Sequence, residues 1–284
     1  MRRLTAEQVR DFRKIVHKFY AEGARADLPW RKTKEPYRIL VSEFMLQQTQ
    51  VSRVSLKFRP FVERFPDFES LARASLREVL AEWSGLGYNR RALNLKKTAE
   101  EVVSVHGGRL PRAYERLLTL PGVGPATAAG VSAFAFGEGR PFIETNIRAV
   151  FIHHFYPGRR AVPDLDILPL IEQTLDRRDP RRWFYALMDY GVAIKASNPN
   201  PSRRSAHYAR QGRFEGSSRE ARGLIVKALA GRAMCERELA AATGLGIERT
   251  RSALPGLVRD GLVASRRGKL SIAARRKRWI GEIS

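Results

Sequence analysis

Cysteine is almost missing: this chain of 284 residues holds one, Cys235. A lone thiol excludes an internal disulfide and builds neither a zinc site nor an iron–sulfur site by itself, so no metal is expected from cysteine. Acidic residues are also few, 29 against 52 Lys+Arg, which leaves a formal net charge of +23. No apolar run reaches the about 18 residues of a membrane span, and the first residues lack the charged, apolar and small-residue order of a signal peptide. Membrane surfaces are therefore not the expected partner. The chain is expected to be soluble and cytoplasmic, associated with the nucleoid, because phosphate-rich nucleic acid is the simplest counterpart of such an excess of base. Strand-like alternation is nearly absent as well, which argues against a β-rich fold.

What remains is helical. Hydrophobic residues make up 43% of the chain, enough for real cores, and the length suggests two domains. Apolar residues recur at helical spacing in Val41, Met45 and Leu46, in Leu76, Val79, Leu80 and Trp83, and from Leu93 to Val102. Turn signals such as Phe65-Pro66, Gly85-Leu-Gly87, Gly107-Gly108 and Pro121-Gly122 keep these helices short. The pattern predicts a mainly α protein: an all-helical, two-lobed domain over 1–200, a linker over 201–218 and a small winged-helix-like domain over 219–284. In that last domain, helices are expected over 220–229, 236–243 and 247–260, followed by a hairpin over 262–272 turning near Arg267-Gly268. Arg249, Arg251 and Arg259 on the third helix fit a DNA-reading helix, with a protein-contact module bearing a solvated charged face as the plain alternative. Cys235 is expected to be a small residue between helices.

The most specific segment is Leu120-Pro-Gly-Val-Gly124, set between two helical patterns. Two glycines around an apolar residue allow a tight turn whose bare N–H groups hold a phosphate without reading a base, although the same turn also serves as a plain helix connector. Gly122, Val123, Gly124 and Ala126 are the candidates for that backbone contact. Five further segments accompany it in order: Leu28-Pro-Trp-Arg31, Val41-Ser-Glu-Phe-Met-Leu-Gln-Gln-Thr-Gln50, Gly85-Leu-Gly-Tyr88 with Arg91, Phe142-Ile-Glu144-Thr-Asn-Ile-Arg148, and Ala186-Leu-Met-Asp-Tyr-Gly191.

From about Leu28 to Ile194 these segments resemble the helix-hairpin-helix (HhH-GPD) DNA glycosylases, and among them most closely the catalytic domain of the MutY adenine glycosylases. The resemblance implies a monofunctional enzyme of base excision repair. It would flip a damaged or mispaired base, most simply adenine, out of double-stranded DNA and hydrolyse its bond to the sugar, acting as a monomer. Such chemistry needs a proton for the departing base and negative charge near the developing oxocarbenium ion, a task for two carboxyls in different environments. Glu43, in an apolar segment where burial raises its pKa, matches the acid; Glu144 stands where the superfamily usually has Asp, with a side chain one methylene longer, and is also placed to cap the helix starting near Asn146.

The resemblance also makes Trp30, Arg31 and Leu46 walls of the base pocket and Asp189 a contact to the base edge. It makes Gln48 and Tyr88 the wedge that fills the gap in the duplex. Core burial of Trp30 and Tyr88 and a capping role for Asp189 are the plain alternatives. Bifunctional relatives carry a lysine where this chain has Ala126, which implies base release without strand cleavage. Relatives usually hold a [4Fe–4S] cluster with four cysteines after the 191–194 region, where this chain reads Lys195-Ala-Ser-Asn-Pro-Asn-Pro201, so no cofactor is expected. Lys195, Arg203 and Arg204 are candidates to replace the phosphate contacts of that loop. Removal of mispaired thymine or uracil, and a non-catalytic lesion or DNA binder, remain the competing functions.

Overall fold

The structure is a computed structural model that describes residues 2–274; the basic tail Arg275–Arg278 lies outside the described residues. Fourteen α-helices and one two-stranded sheet are formed among the described residues. In chain order they are α1 (Ala6–Gly23), α2 (Pro36–Leu46), α3 (Val51–Arg64), α4 (Phe68–Arg73), α5 (Leu76–Glu82), α6 (Arg90–His106) and α7 (Tyr114–Leu117). There follow α8 (Pro125–Phe136), α9 (Thr145–Phe155), α10 (Asp164–Thr174), α11 (Pro180–Ser197), α12 (Ser218–Gly231), α13 (Glu236–Thr243), α14 (Ile247–Arg259), β1 (Val263–Arg266) and β2 (Lys269–Ile272). No described helix is long and apolar enough to cross a membrane.

Local chemistry explains many of the boundaries. Thr5 with Gln8, Asp67 with Ser70 and Ser75 with Glu78 form reciprocal capping boxes that start α1, α4 and α5. Gly107 and Gly137 end α6 and α8 in the left-handed conformation.

Two compact units result, one of residues 1–43 with 110–211 and the other of 44–109 with 212–284. In the first, α8 is apolar all round, with Thr127 to Phe134 buried, so it serves as a central core helix. Helices α9 and α11 pack closely because Gly191 on α11 lies against the Asn146 carbonyl, where a Cβ would collide. The 201–218 stretch, expected to be a linker, is divided. Its first residues form a single 3-10 turn, Pro201–Arg204, that docks on α9. The Ser202 hydroxyl donates to the Thr145 carbonyl (3.1 Å), and the backbones of Val162, Arg204 and Ala206 exchange bonds of 2.8 and 2.9 Å. Residues 206–216 are exposed. The guanidinium of Arg204 donates to the carbonyls of Tyr156 and Ile152 at the C-terminal end of α9. Arg204 is thus a helix-end clamp rather than the phosphate contact expected of it, since the last carbonyls of a helix lack intrahelical donors.

In the second unit, the aromatic rings of Phe61, Phe65 and Trp83 meet edge to face in the core beneath α3 and α5. The C-terminal segment belongs to this unit rather than standing alone: α12 packs on α5, and the Arg77 guanidinium donates to the Ala230 carbonyl (2.6 Å). The expected three helices and hairpin are present. Arg267 (φ 50°) and Gly268 (φ 74°) make the two-residue turn between β1 and β2, and Cys235 is the N-cap residue of α13.

One buried side chain organises the irregular backbone of this unit. The guanidinium of Arg91, 7% exposed, donates to the carbonyls of Phe44 and Met45 (both 2.9 Å), Gln47, Leu86 (3.2 Å) and Gly87 (3.1 Å) and to the Thr49 hydroxyl (2.8 Å). Lysine offers a point charge in place of a planar fork and cannot donate to all of these acceptors at once. Arg91→Lys is therefore expected to lower unfolding stability by about 2–4 kcal/mol in urea titration, far more than a charge-preserving change at an exposed arginine such as Arg59.

Candidate active site

Glu43 and Glu144 lie in the first unit, within electrostatic reach of one another. Glu43 rides on α2 among Leu40, Val41 and Phe44, none of them exposed, and its Oε2 lies against Gly130 of α8, where an ideal Cβ would come within 2.5 Å. Burial, and secondarily the charge of Glu144, push the Glu43 carboxyl up to about 8. Glu144 is held differently. It is the N-cap of α9, accepting from the Ile147 backbone N–H (2.7 Å) and from the Asn146 side-chain amide (2.9 Å). Burial raises its pKa too, but these donors and the nearby Lys195 ammonium oppose the rise. The pair divides labour accordingly: the neutral form resides on Glu43 and the charge on Glu144, where donors exist to meet it.

The other residues assigned to the base pocket occupy distinct places. Arg31 has a nearly buried side chain and lies over the Tyr185 ring, 4.4 Å from its centroid. It grips Asp189 with both terminal nitrogens (2.7 and 2.8 Å). Asp189 also accepts from the Arg25 side chain (2.6 Å) and backbone (3.0 Å), so both its oxygens are committed to arginines. Although burial alone would raise it, hydrogen bonding and charge from Arg31, then Arg25, hold its carboxyl below the usual range. Asp189 therefore orients Arg31 rather than facing outward itself. Trp30 is 3% exposed and packs as a core aromatic.

The structure adds residues that sequence reasoning missed: Arg25, which shares Asp189; Asn146, which steadies Glu144; Gly130, which leaves room for Glu43; and Tyr185. Of these only Asn146 had a signal, its place two positions after Glu144 in the same motif. The Nε of Arg31 and the hydroxyls of Tyr185 and Ser132 are buried without a hydrogen-bond partner among the described residues. No group of three or more His, Cys, Asp or Glu suited to a metal occurs among those residues.

The 120–124 hairpin presents its backbone outward. Leu120 and Val123 are buried and anchor the turn, Gly122 takes φ 79°, and Gly124 and Ala126 are exposed at the start of α8 with Pro125 as its first residue. The first N–H groups of a helix have no intrahelical acceptor, so this end of α8 offers donors to an anion.

Leu46, Gln48 and Tyr88 belong to the second unit. Leu46 ends α2 half-buried, while Gln48 (φ 52°) and Tyr88 (φ 47°) are exposed residues in the left-handed region, a strained state for side-chain-bearing residues. Arg91 holds the backbone beside both and sits 5.5 Å from the Tyr88 ring centroid.

A carboxyl that ionises less readily when folded than when unfolded weakens the fold once pH exceeds its unfolded value. For Glu43 that window runs from the ordinary 4.5 to about 8. Glu43→Gln removes this liability. It is expected to match the parent's melting temperature near pH 4 and to exceed it progressively up to pH 8, by the equivalent of a few kcal/mol; a constant difference across that range would contradict the assignment.

The family model described as HhH-GPD superfamily base excision DNA repair protein matches residues 41–189. The adenine DNA glycosylase of Mycolicibacterium smegmatis is 39% identical over 177 residues, 61% of this chain and 60% of that protein. The adenine DNA glycosylase of Buchnera aphidicola is 34% identical over 193 residues, 66% of this chain and 54% of that protein. The chain thus spans little more than half the length of these relatives. The solved structure of a thermostable thymine-DNA glycosylase, 27% identical, superposes with a TM-score of 0.61 over 69% of this chain and 91% of that one. The matched stretch takes in Glu43, the hairpin, Glu144 and Asp189 and exceeds half of the chain, so the protein belongs to the HhH-GPD superfamily of base excision DNA repair proteins.

Proposed function

We propose that the chain hydrolyses the glycosidic bond of a mispaired adenine in double-stranded DNA and leaves an abasic site. What supports this reading is the placement of Glu43 against Gly130, where burial pushes its carboxyl up to about 8, together with a Glu144 that is furnished with donors for its charge. Glu43 passes its proton to a ring nitrogen of the departing purine as the C–N bond breaks and the bonding electrons leave with the base. The Glu144 carboxylate stabilises the sugar cation. Water adds to C1′, and Glu43, now a carboxylate, takes the proton that water releases, which restores the starting state. A protonated acid suits a purine, whose ring nitrogens accept a proton, better than thymine or uracil, which depart as stabilised anions. The similarity to a thymine-DNA glycosylase makes pyrimidine release the second reading.

The remaining site residues support the same task. Exposed backbone at Gly122, Gly124 and Ala126 suits a phosphate near the flipped nucleotide, and the strained Gln48 and Tyr88 suit insertion into the gap left in the duplex. Arg31, oriented by Asp189, brings donors to the base pocket. With Ala126 in place of a lysine nucleophile, the product is an abasic site without strand cleavage. The residues after α11 do not fit an iron–sulfur cluster: Lys195 to Ala206 offer no thiolate, and the 3-10 turn that docks on α9 supplies hydrogen bonds in that region instead. We infer that the enzyme works without a cofactor and as a monomer, on DNA in the cytoplasm.

Single-turnover release from duplexes carrying A, T or U opposite each partner base tests the reading. Adenine release is expected to be level at neutral pH and to fall about tenfold per unit above pH 8, as Glu43 loses its proton, and Glu43→Gln is expected to slow it by about 10²–10⁴-fold. Pyrimidine release that ignores Glu43→Gln would replace adenine with the second reading; tight binding of distorted DNA without any release would favour a binder.

Gly130→Ala separates chemistry from stability. The added methyl meets the mobile end of Glu43, and alanine is the better helix former. The variant is expected to melt at or above the parent's temperature, while release slows by about 10²-fold because the acid is displaced by an ångström or so.

A further inference from the structure

The chemistry above leaves the C-terminal helices and hairpin without a task, although they are packed into the second unit beside its strained turn. Arg219, in the first turn of α12, donates through Nη1 to the Tyr88 hydroxyl (3.1 Å). Its other terminal nitrogen donates to the carbonyls of Gly212 (2.7 Å) and Arg213 (3.4 Å), which aim the guanidinium. A second link falls two residues further along. Asp260, at the end of α14, pairs with Arg222 of its own domain (2.5 Å) and with Arg90 at the start of α6 (3.6 Å). Gly256 makes that possible, since a Cβ there would lie 2.6 Å from the Arg222 Nη1. The Tyr88 turn is therefore bracketed: its ring faces Arg91, its hydroxyl is held by Arg219, and Arg90 is tied to Asp260.

Stability does not account for these contacts. Tyr88 and Arg219 are surface groups, and exposed polar pairs contribute little to folding. Nor does the domain present its arginines as a reading helix would: on α14, Arg249 is paired with Glu220 (3.3 Å) and Arg251 with Glu236 (2.9 Å). What the bonds do fix is the direction of one aromatic ring on a strained turn.

We propose that the C-terminal domain is a positioning device for the wedge: Arg219 fixes the Tyr88 phenol, and thereby where the ring inserts beside the unpaired base, so that the domain tunes discrimination among opposite bases. It does so through Tyr88, without a base contact of its own. This rests on Tyr88 being the wedge of a base-flipping enzyme.

The test is a double-mutant cycle read as opposite-base preference. Full-length protein, Arg219→Ala, Tyr88→Phe and the double variant are titrated with duplexes carrying a tetrahydrofuran abasic analogue opposite A, C, G, T or 8-oxoguanine. In the parent, the ratio of best to worst affinity is expected to be about tenfold or more. Each single variant is expected to lower it about three- to tenfold, the size of one hydrogen bond, and the double variant to lower it no further than either single one. Arg219→Lys, which still donates to the phenol, is expected to restore part of the ratio, with melting temperatures unchanged throughout. A parent ratio of one overturns the proposal, and so do additive losses in the double variant or an unchanged ratio in Arg219→Ala. A uniform loss for every opposite base with a shallower salt dependence also overturns it, by making Arg219 a plain phosphate contact. Because the analogue carries no base, the cycle is read whether or not adenine is released; absent adenine release in the parallel assay defeats the proposed substrate and leaves this outcome distinct.

Discussion

The burial of one carboxyl, reinforced by the charge of a second, is the constraint around which the first unit is arranged. Two carboxylates in a low-dielectric site cannot both remain ionised at ordinary cost, so one must become an acid and the other must be given donors. The fold decides which. Glu43 comes off the buried flank of α2 against a helix whose glycine leaves space for it and supplies no charge, whereas Glu144 sits at a helix start, where backbone N–H groups have no other acceptor. Gly191 lets α11 approach the first turn of α9 and places Lys195 within electrostatic reach of Glu144.

That arrangement also accommodates the length of the Glu144 side chain, one methylene more than the aspartate the resemblance implies. The added methylene is absorbed by the cap itself: one oxygen takes the Ile147 N–H and the other the Asn146 amide, so a longer and otherwise freer side chain is fixed at both oxygens. The end of α9 is treated with the same economy. Ser202 and Arg204 tie a short turn to the first and last carbonyls of this helix, so the helix bearing the cap is held from both ends.

In the second unit the organising group is Arg91, whose guanidinium collects carbonyls from the end of α2 and from the turn before α6. Desolvation lowers its pKa to about 10, still well above neutrality, so it remains a cation buried among dipoles. This hub helps to hold Gln48 and Tyr88 in left-handed conformations at the surface, because it bonds the carbonyl immediately before each of them. The C-terminal domain adds its own arginine and aspartate to the same turn, which ties it to backbone held in the left-handed region.

How much of this was legible in the chain differs from residue to residue, for a physical reason. Helical periodicity and turn residues marked the all-α class, the three C-terminal helices and the Arg267-Gly268 turn, because these depend on local conformational preference. Glu43 and Glu144 were visible as chemistry within motifs, and the apolar neighbours of Glu43 already implied a raised pKa. Other roles were not visible. Asp189 read as a contact to a base, yet Arg25, far away in sequence, takes part of it; Arg204 read as a phosphate ligand, yet it closes α9; the 201–218 stretch read as linker, yet its first residues are docked. The sequence by itself determined which side chains carry charge, where helices begin and end, and which two carboxyls fall within the motifs. Tertiary structure alone decided which charges meet, since ion pairs such as Arg25 with Asp189 and hydrogen bonds such as Arg219 with Tyr88 join residues more than a hundred positions apart, where no local rule applies.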